Sequence, residues 1–138
     1  MNIKDITADM VPEPTDMLEQ IFMRQMELEE KYMPIERNNG EHVPELPLDI
    51  DTFEGQRRAR AMIYRITEEL YEAGNCLRNK AWKQTHVKTD KDHFYEELAD
   101  SFHFVVQLFI ELGFSARDVY QLYFRKSEVN KFRQRSKY

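Results

Sequence analysis

Residues 91–113, KDHFYEELADSFHFVVQLFIELG, decide the fold. Phe94, Glu97, Ser101, Phe104 or Val105, Leu108 and Leu112 recur by threes and fours, the spacing of one helix face. Gly113 is a good C′ residue, so a helix is predicted from about Lys91 to Leu112. Immediately downstream, Ser115 caps a further helix, with Asp118 at N3 in place of the usual Glu of a capping box. Val119, Leu122, Tyr123 and Val129 form its apolar face.

Upstream, a long helix is predicted from about Thr52 to Lys83, with Ala59, Met62, Ile66, Glu69, Ala73 and Leu77 on one face. THVKTDKD breaks it from the segment at 91. A first helix is predicted from about Asp16 to Met33, capped by Thr15 or Asp16 and followed by Pro34. Its stripe is Leu18, Ile21, Gln25, Leu28 and Tyr32. Residues 1–14 read as a loose arm. Residues 34–51 hold three prolines and Asn-Asn-Gly, and form a loop too long for a plain connection. It is either a lid facing a substrate or a surface excursion. Four helices around one core imply a single all-α domain over 1–138, an antiparallel four-helix bundle.

Charged residues make up 33% of the chain, and glycine and proline are few, which favours helix over a β-sandwich. The single cysteine, Cys76, forms no internal disulfide, so a reducing cytoplasmic setting is expected. No apolar run approaches the roughly 18 residues needed to span a bilayer, and no signal-peptide core opens the chain, so no membrane partner is expected. The basic C-terminal segment 125–138, RKSEVNKFRQRSKY, has six Lys/Arg against one Glu on a chain whose net charge is −5. An acidic body with a basic tail argues against a nucleic-acid-binding domain, which would be basic overall. It suits an anion held between bound cations and a basic patch.

ITEELYEAGN (66–75) and ELAD (97–100) carry the chemistry. Glu69 and Glu72 stand at i and i+3, as do Glu97 and Asp100, and residues three apart are neighbours on a helix. Glu69 and Glu97 also lie within apolar stripes. If the two helices pack side by side, four carboxylates converge, and repulsion with desolvation raises their pKa values unless cations are present. Oxygen-only ligands select Mg²⁺, with Mn²⁺ as a substitute, or Ca²⁺, over zinc. A di-iron bundle would need Glu-x-x-His on two helices, and only Asp100–His103 comes near that form. His42, His86 and His93 make no zinc pattern.

EELYE (68–72), 24 intervening residues and ELAD (97–100) resemble the EExxE…ExxD signature of the all-α NTP pyrophosphatases, the MazG-like superfamily. The flanks LEQIFMRQMELEEKY, NKAWK and LYFRKSEVNKFRQ look like its dimeric dUTPase branch, over roughly residues 17–135. The resemblance implies a Mg²⁺-dependent hydrolase that cuts dUTP into dUMP and diphosphate, and a homodimer. Glu69, Glu72, Glu97 and Asp100 would be the Mg²⁺ ligands, with Glu69 or Glu72 orienting or deprotonating the attacking water. Gln25 would contact the pyrimidine, and its amide offers both a donor and an acceptor to a uracil edge. Asn75 resembles a polar position that follows the second Glu. Trp82 occupies the aromatic position of NKAWK and either stacks on a base or fills core. Lys126, Asn130 and Arg133 match a K-x-x-x-N-x-x-R run and share one helical face suited to phosphate, with Lys83 a further candidate. A dCTP/dUTP pyrophosphatase or a broader MazG-like housecleaning enzyme fits the same residues. A non-enzymatic helical interaction module is the alternative of another class.

Overall fold

The computed structural model describes residues 1–136; Lys137 and Tyr138, the end of the basic segment, lie outside it. Four helices carry the fold: α1 (Met17–Asn38), α2 (Phe53–Asn75), α3 (Lys91–Glu111) and α4 (Ala116–Arg135), with no strand among the described residues. Each begins at a side-chain cap. Asp16, Thr52, Asp90 and Ser115 accept from the backbone N–H three residues on, and Ser115 with Asp118 completes the reciprocal box the sequence predicts. Gly113 closes α3 at φ +88°, a conformation glycine adopts without strain.

The bundle's register is read from its buried contacts. Arg58 of α2 meets Glu111 of α3, while Glu69 of α2 meets Glu97 and Asp100 of α3, so these helices run antiparallel. Gln25 of α1 meets Gln107 of α3, and α1 packs on α3 while its Glu36 reaches Arg58 and Arg65 of α2. α4 turns through 105° from α3 and packs on α1, so it crosses the bundle rather than lying along it. No residue of α4 is buried, although it carries Tyr120, Leu122, Tyr123, Phe124, Val129 and Phe132. Among the described residues no single helix is long and apolar enough to cross a membrane.

Two expected boundaries move, and the N-terminal arm is not loose. α1 runs through Pro34 to Asn38 instead of stopping at Met33. Pro34 removes one intrahelical hydrogen bond, but Glu36 in the last turn pairs with Arg58 and Arg65 of α2 and holds the helix past it. α2 stops at Asn75, not near Lys83, because Gly74 and Asn75 are weak helix formers at an end with no further packing. The 1–14 arm is tied down. Its Ile3 N–H donates to Glu96 of α3 at 2.7 Å, and the Gln20 side chain holds both Glu13 and Thr15.

The α1–α2 connection is also ordered. Val43, Pro44 and Leu48 are buried, and Leu48 N–H donates to the Glu111 carbonyl at 2.8 Å. The loop therefore seals the C-terminal end of α3. Glu111 lies eleven positions beyond Asp100, about 16 Å of helix, so the loop is not a cover for the carboxylates.

Candidate metal centre and flanking recesses

α2 and α3 bring three of the four predicted carboxylates together. Glu69, Glu97 and Asp100 each place one oxygen within 4.8 Å of the others. Glu72, one turn beyond Glu69, is exposed at the rim, near enough to share a proton with Glu97. Glu68, one position off the Glu69 face, is exposed.

The cluster bears the electrostatic marks of crowded acids. The Glu69 carboxyl is pushed up to about 7, first by burial and then by its hydrogen bond to Glu97 and the charges of Glu72 and Asp100. Glu72 is raised chiefly by its hydrogen bond to Glu97, and Asp100 chiefly by burial. Glu97 goes the other way: hydrogen bonding from Glu69 holds it below the carboxylate range despite its burial. Glu97 Oε1 also meets His93 Nε2 at 2.9 Å, while its buried Oε2 has no partner. An orphaned buried oxygen among all-oxygen donors fits a hard divalent cation, which supplies the missing partner and relieves the repulsion.

Two recesses flank the cluster along α3. The first, of about 360 Å³, is polar and lies beside Glu72 and Glu97, with Asn75, Cys76, Arg78, Lys88, Asp90 and His93 around it. Arg78 and Lys88 come together because the Asn79 side chain clamps Val87: its Oδ1 accepts from Val87 N–H at 2.7 Å and its Nδ2 donates to Val87 O at 2.8 Å. The second recess, of about 400 Å³, is mainly apolar, walled by Val11, Pro12 and Pro14 of the arm, Ile21 of α1 and Val106 of α3. Gln25, Arg24 and His103 supply its polar groups, and Gln25 is 4% exposed. His103 follows Asp100 by one helical turn, which places this recess next to the carboxylates.

Behind Gln25 runs a buried polar column. Gln25 Nε2 lies 3.4 Å from Gln107 Oε1, and Gln107 Nε2 donates to Glu111 Oε2 at 3.0 Å. Glu111, fully buried, accepts from Arg58 Nε at 2.7 Å. Glu29, one turn beyond Gln25 and also buried, has its carboxyl pushed up to about 8 by burial and by Glu111.

Of the other predicted residues, Asn75 lines the polar recess beside Glu72. Trp82 is 79% exposed on the loop that Asn79 closes, so it does not fill core, and Lys83 is exposed beside it. Lys126, Asn130 and Arg133 are all exposed on α4, away from the residues that line either recess within one protomer. Arg78, Lys88 and His93 are the residues that sequence reasoning missed. Ten positions separate Arg78 from Lys88, and only the Asn79 side chain joins them. His93 alone carried a readable signal, four residues before Glu97 on one helix face. Comparison with protein-family models, with curated proteins and with solved structures finds no match for this chain.

Proposed function

We propose that this protein is a Mg²⁺-dependent nucleoside triphosphate pyrophosphohydrolase acting on dUTP. The observation that carries the reading is the order of sites along α3. His93 borders a recess with two cations, Glu97 and Asp100 form the carboxylate cluster, and His103 and Val106 border an apolar recess floored by Gln25. From His93 to Val106 is about 20 Å of helix. The recess with Arg78 and Lys88, the metal ligands and the apolar recess follow in the order phosphate tail, reacting phosphate and base, with a bound cation needed to offset Glu72, Asp90 and Glu97 at the phosphate end.

Glu69, Glu97 and Asp100 are the residues that hold Mg²⁺ (or Mn²⁺). When bound, the ion polarises phosphate oxygens and lowers the pKa of a coordinated water. Glu72, outside the trio and facing solvent, is placed to take the proton of a water attacking the α-phosphorus. Its raised pKa brings it nearer the range a general base needs. Arg78 and Lys88 offset charge on the departing diphosphate, with Asn75 beside them as a neutral donor. Gln25 binds the pyrimidine edge, and Val11, Pro12 and Pro14 keep water from its face.

A homodimer belongs to the same reading. α4 exposes six large apolar side chains, and a groove of about 700 Å³ separates it from Phe22, Met23 and Met26 of α1. A second copy covering that face would remove the apolar surface from water.

The test is diphosphate release from a panel of dNTPs and NTPs with and without Mg²⁺. Turnover of dUTP above the others, abolished by chelation, supports the assignment. A preference for dCTP moves it to a dCTP/dUTP pyrophosphatase, and equal rates to a broad housecleaning enzyme. No release from any nucleotide leaves a helical interaction module.

A further inference from the structure

We propose that Gln107 and Glu111 are positioning residues that lock the Gln25 amide with its carbonyl oxygen toward the apolar recess, so that the recess selects a ligand edge carrying a ring N–H. The proposal rests on reading that recess as the base site, and it names the feature of the base that is recognised.

The direction of every hydrogen bond in the column follows from its buried end. Glu111 receives Arg58 on both oxygens, Nε at 2.7 Å on Oε1 and Nη2 at 3.3 Å on Oε2. A carboxylate paired in this way has no proton to give. The Gln107 group 3.0 Å from Oε2 is therefore its NH₂, which turns the Gln107 carbonyl to the opposite side of the same amide. That carbonyl meets Gln25 at 3.4 Å, so Gln25 presents its NH₂ to it. A flipped Gln25 would oppose two carbonyl oxygens and leave a buried amide unpaired. Among the described residues none donates to Gln25 Oε1, and Gln25 lines the recess. The recess thus holds an outward acceptor whose polarity is fixed by an ion pair two residues away. An imide N–H, as at N3 of uracil, satisfies it, whereas the bare N3 of cytosine sets a lone pair against a lone pair.

The experiment uses the full chain with Mg²⁺ and compares wild type with Gln107→Met, which keeps the side-chain length and removes the acceptor. Values of kcat/KM are measured for dUTP, N3-methyl-dUTP and dCTP. Wild type is expected to favour dUTP over both, and Gln107→Met to lose about tenfold of that preference, mainly through KM, as one neutral hydrogen bond is freed to rotate. A variant that loses activity equally on all three nucleotides overturns the proposal, because a purely structural role leaves their ratio unchanged. A second readout needs no turnover. In ¹⁵N-edited NMR spectra of the wild type, the Gln25 side-chain NH₂ is expected to exchange more slowly than that of exposed Gln121, and Gln107→Met to remove the difference. Equal exchange in wild type overturns the proposal even if the variant does not fold. Absence of turnover with every nucleotide would refute the functional reading alone, and the effect of Gln107→Met on the amide spectrum would still test the Gln25–Gln107 bond.

Discussion

Replacing Glu29 by Gln should make the protein more stable in alkali and leave it unchanged in mild acid. Glu29 is buried against Glu111, which is already paired with Arg58, so no cation remains for it. Its carboxyl ionises near 8 in the folded chain against an ordinary 4.5. The folded state therefore holds a proton that the unfolded state releases. The resulting stability is fully present below 4.5 and is lost as pH rises through 8. Each pH unit in that window is worth about 1.4 kcal/mol, which bounds the loss at about 5 kcal/mol. Partial screening of the carboxyl and the attraction of Arg58 reduce this to about 2 kcal/mol. Gln is neutral at every pH and keeps an N–H for Glu111, so Glu29→Gln removes the titration without removing the donor. Urea denaturation followed by circular dichroism from pH 4.5 to 9 should give equal stabilities at the acid end. By pH 8.5 the variant should lead by about 2 kcal/mol, or about 5 °C in Tm. A difference that stays constant across the range would refute the reasoning, because every other titrating group is common to both proteins.

Other consequences can be measured directly. Glu72→Gln should lower Mg²⁺-dependent diphosphate release by at least about a hundredfold with helicity intact in circular dichroism; retained turnover would remove Glu72 as the base. Apparent Mg²⁺ affinity, read by calorimetry, should tighten about tenfold per pH unit up to about 7 and then level off. The ion must displace the proton on Glu69, whose carboxyl is pushed up to about 7. Arg58→Met should destabilise the fold by about 3–5 kcal/mol in urea titrations, because Glu36 and Glu111 lose their common partner; a loss below 1 kcal/mol would show that the pair is not structurally required.

What could be read in the sequence follows from where each signal lies along the chain. The α3 helix, its terminal Gly113 and the Ser115–Asp118 box involve neighbours within one or two turns, and all three appear as expected. The two i,i+3 carboxylate pairs were visible for the same reason. The α1 core face keeps Gln25 and half-buries Leu18 and Leu28, but is rotated from the expected stripe. Ile21 and Tyr32 are exposed, while Phe22, Gln25 and Glu29 are buried. Apolar periodicity misses a face built from polar side chains whose partners stand on other helices, and Glu29, Arg58, Gln107 and Glu111 form such a face. Pro34 reads as a stop because the partners that compensate for it, Arg58 and Arg65 on Glu36, are more than twenty residues away in the chain. Arg78 and Lys88 escaped because a side chain rather than a helix joins them.

That side chain has a consequence for how the protein can change. Asn79 binds both backbone groups of Val87, so the ends of the 80–86 segment are fixed whatever lies between them. Residues 80–86, with Trp82 and Lys83, form an exchangeable cassette on an anchored base. Its length and composition can drift, and with them what it offers to a ligand, while Arg78 and Lys88 stay in place.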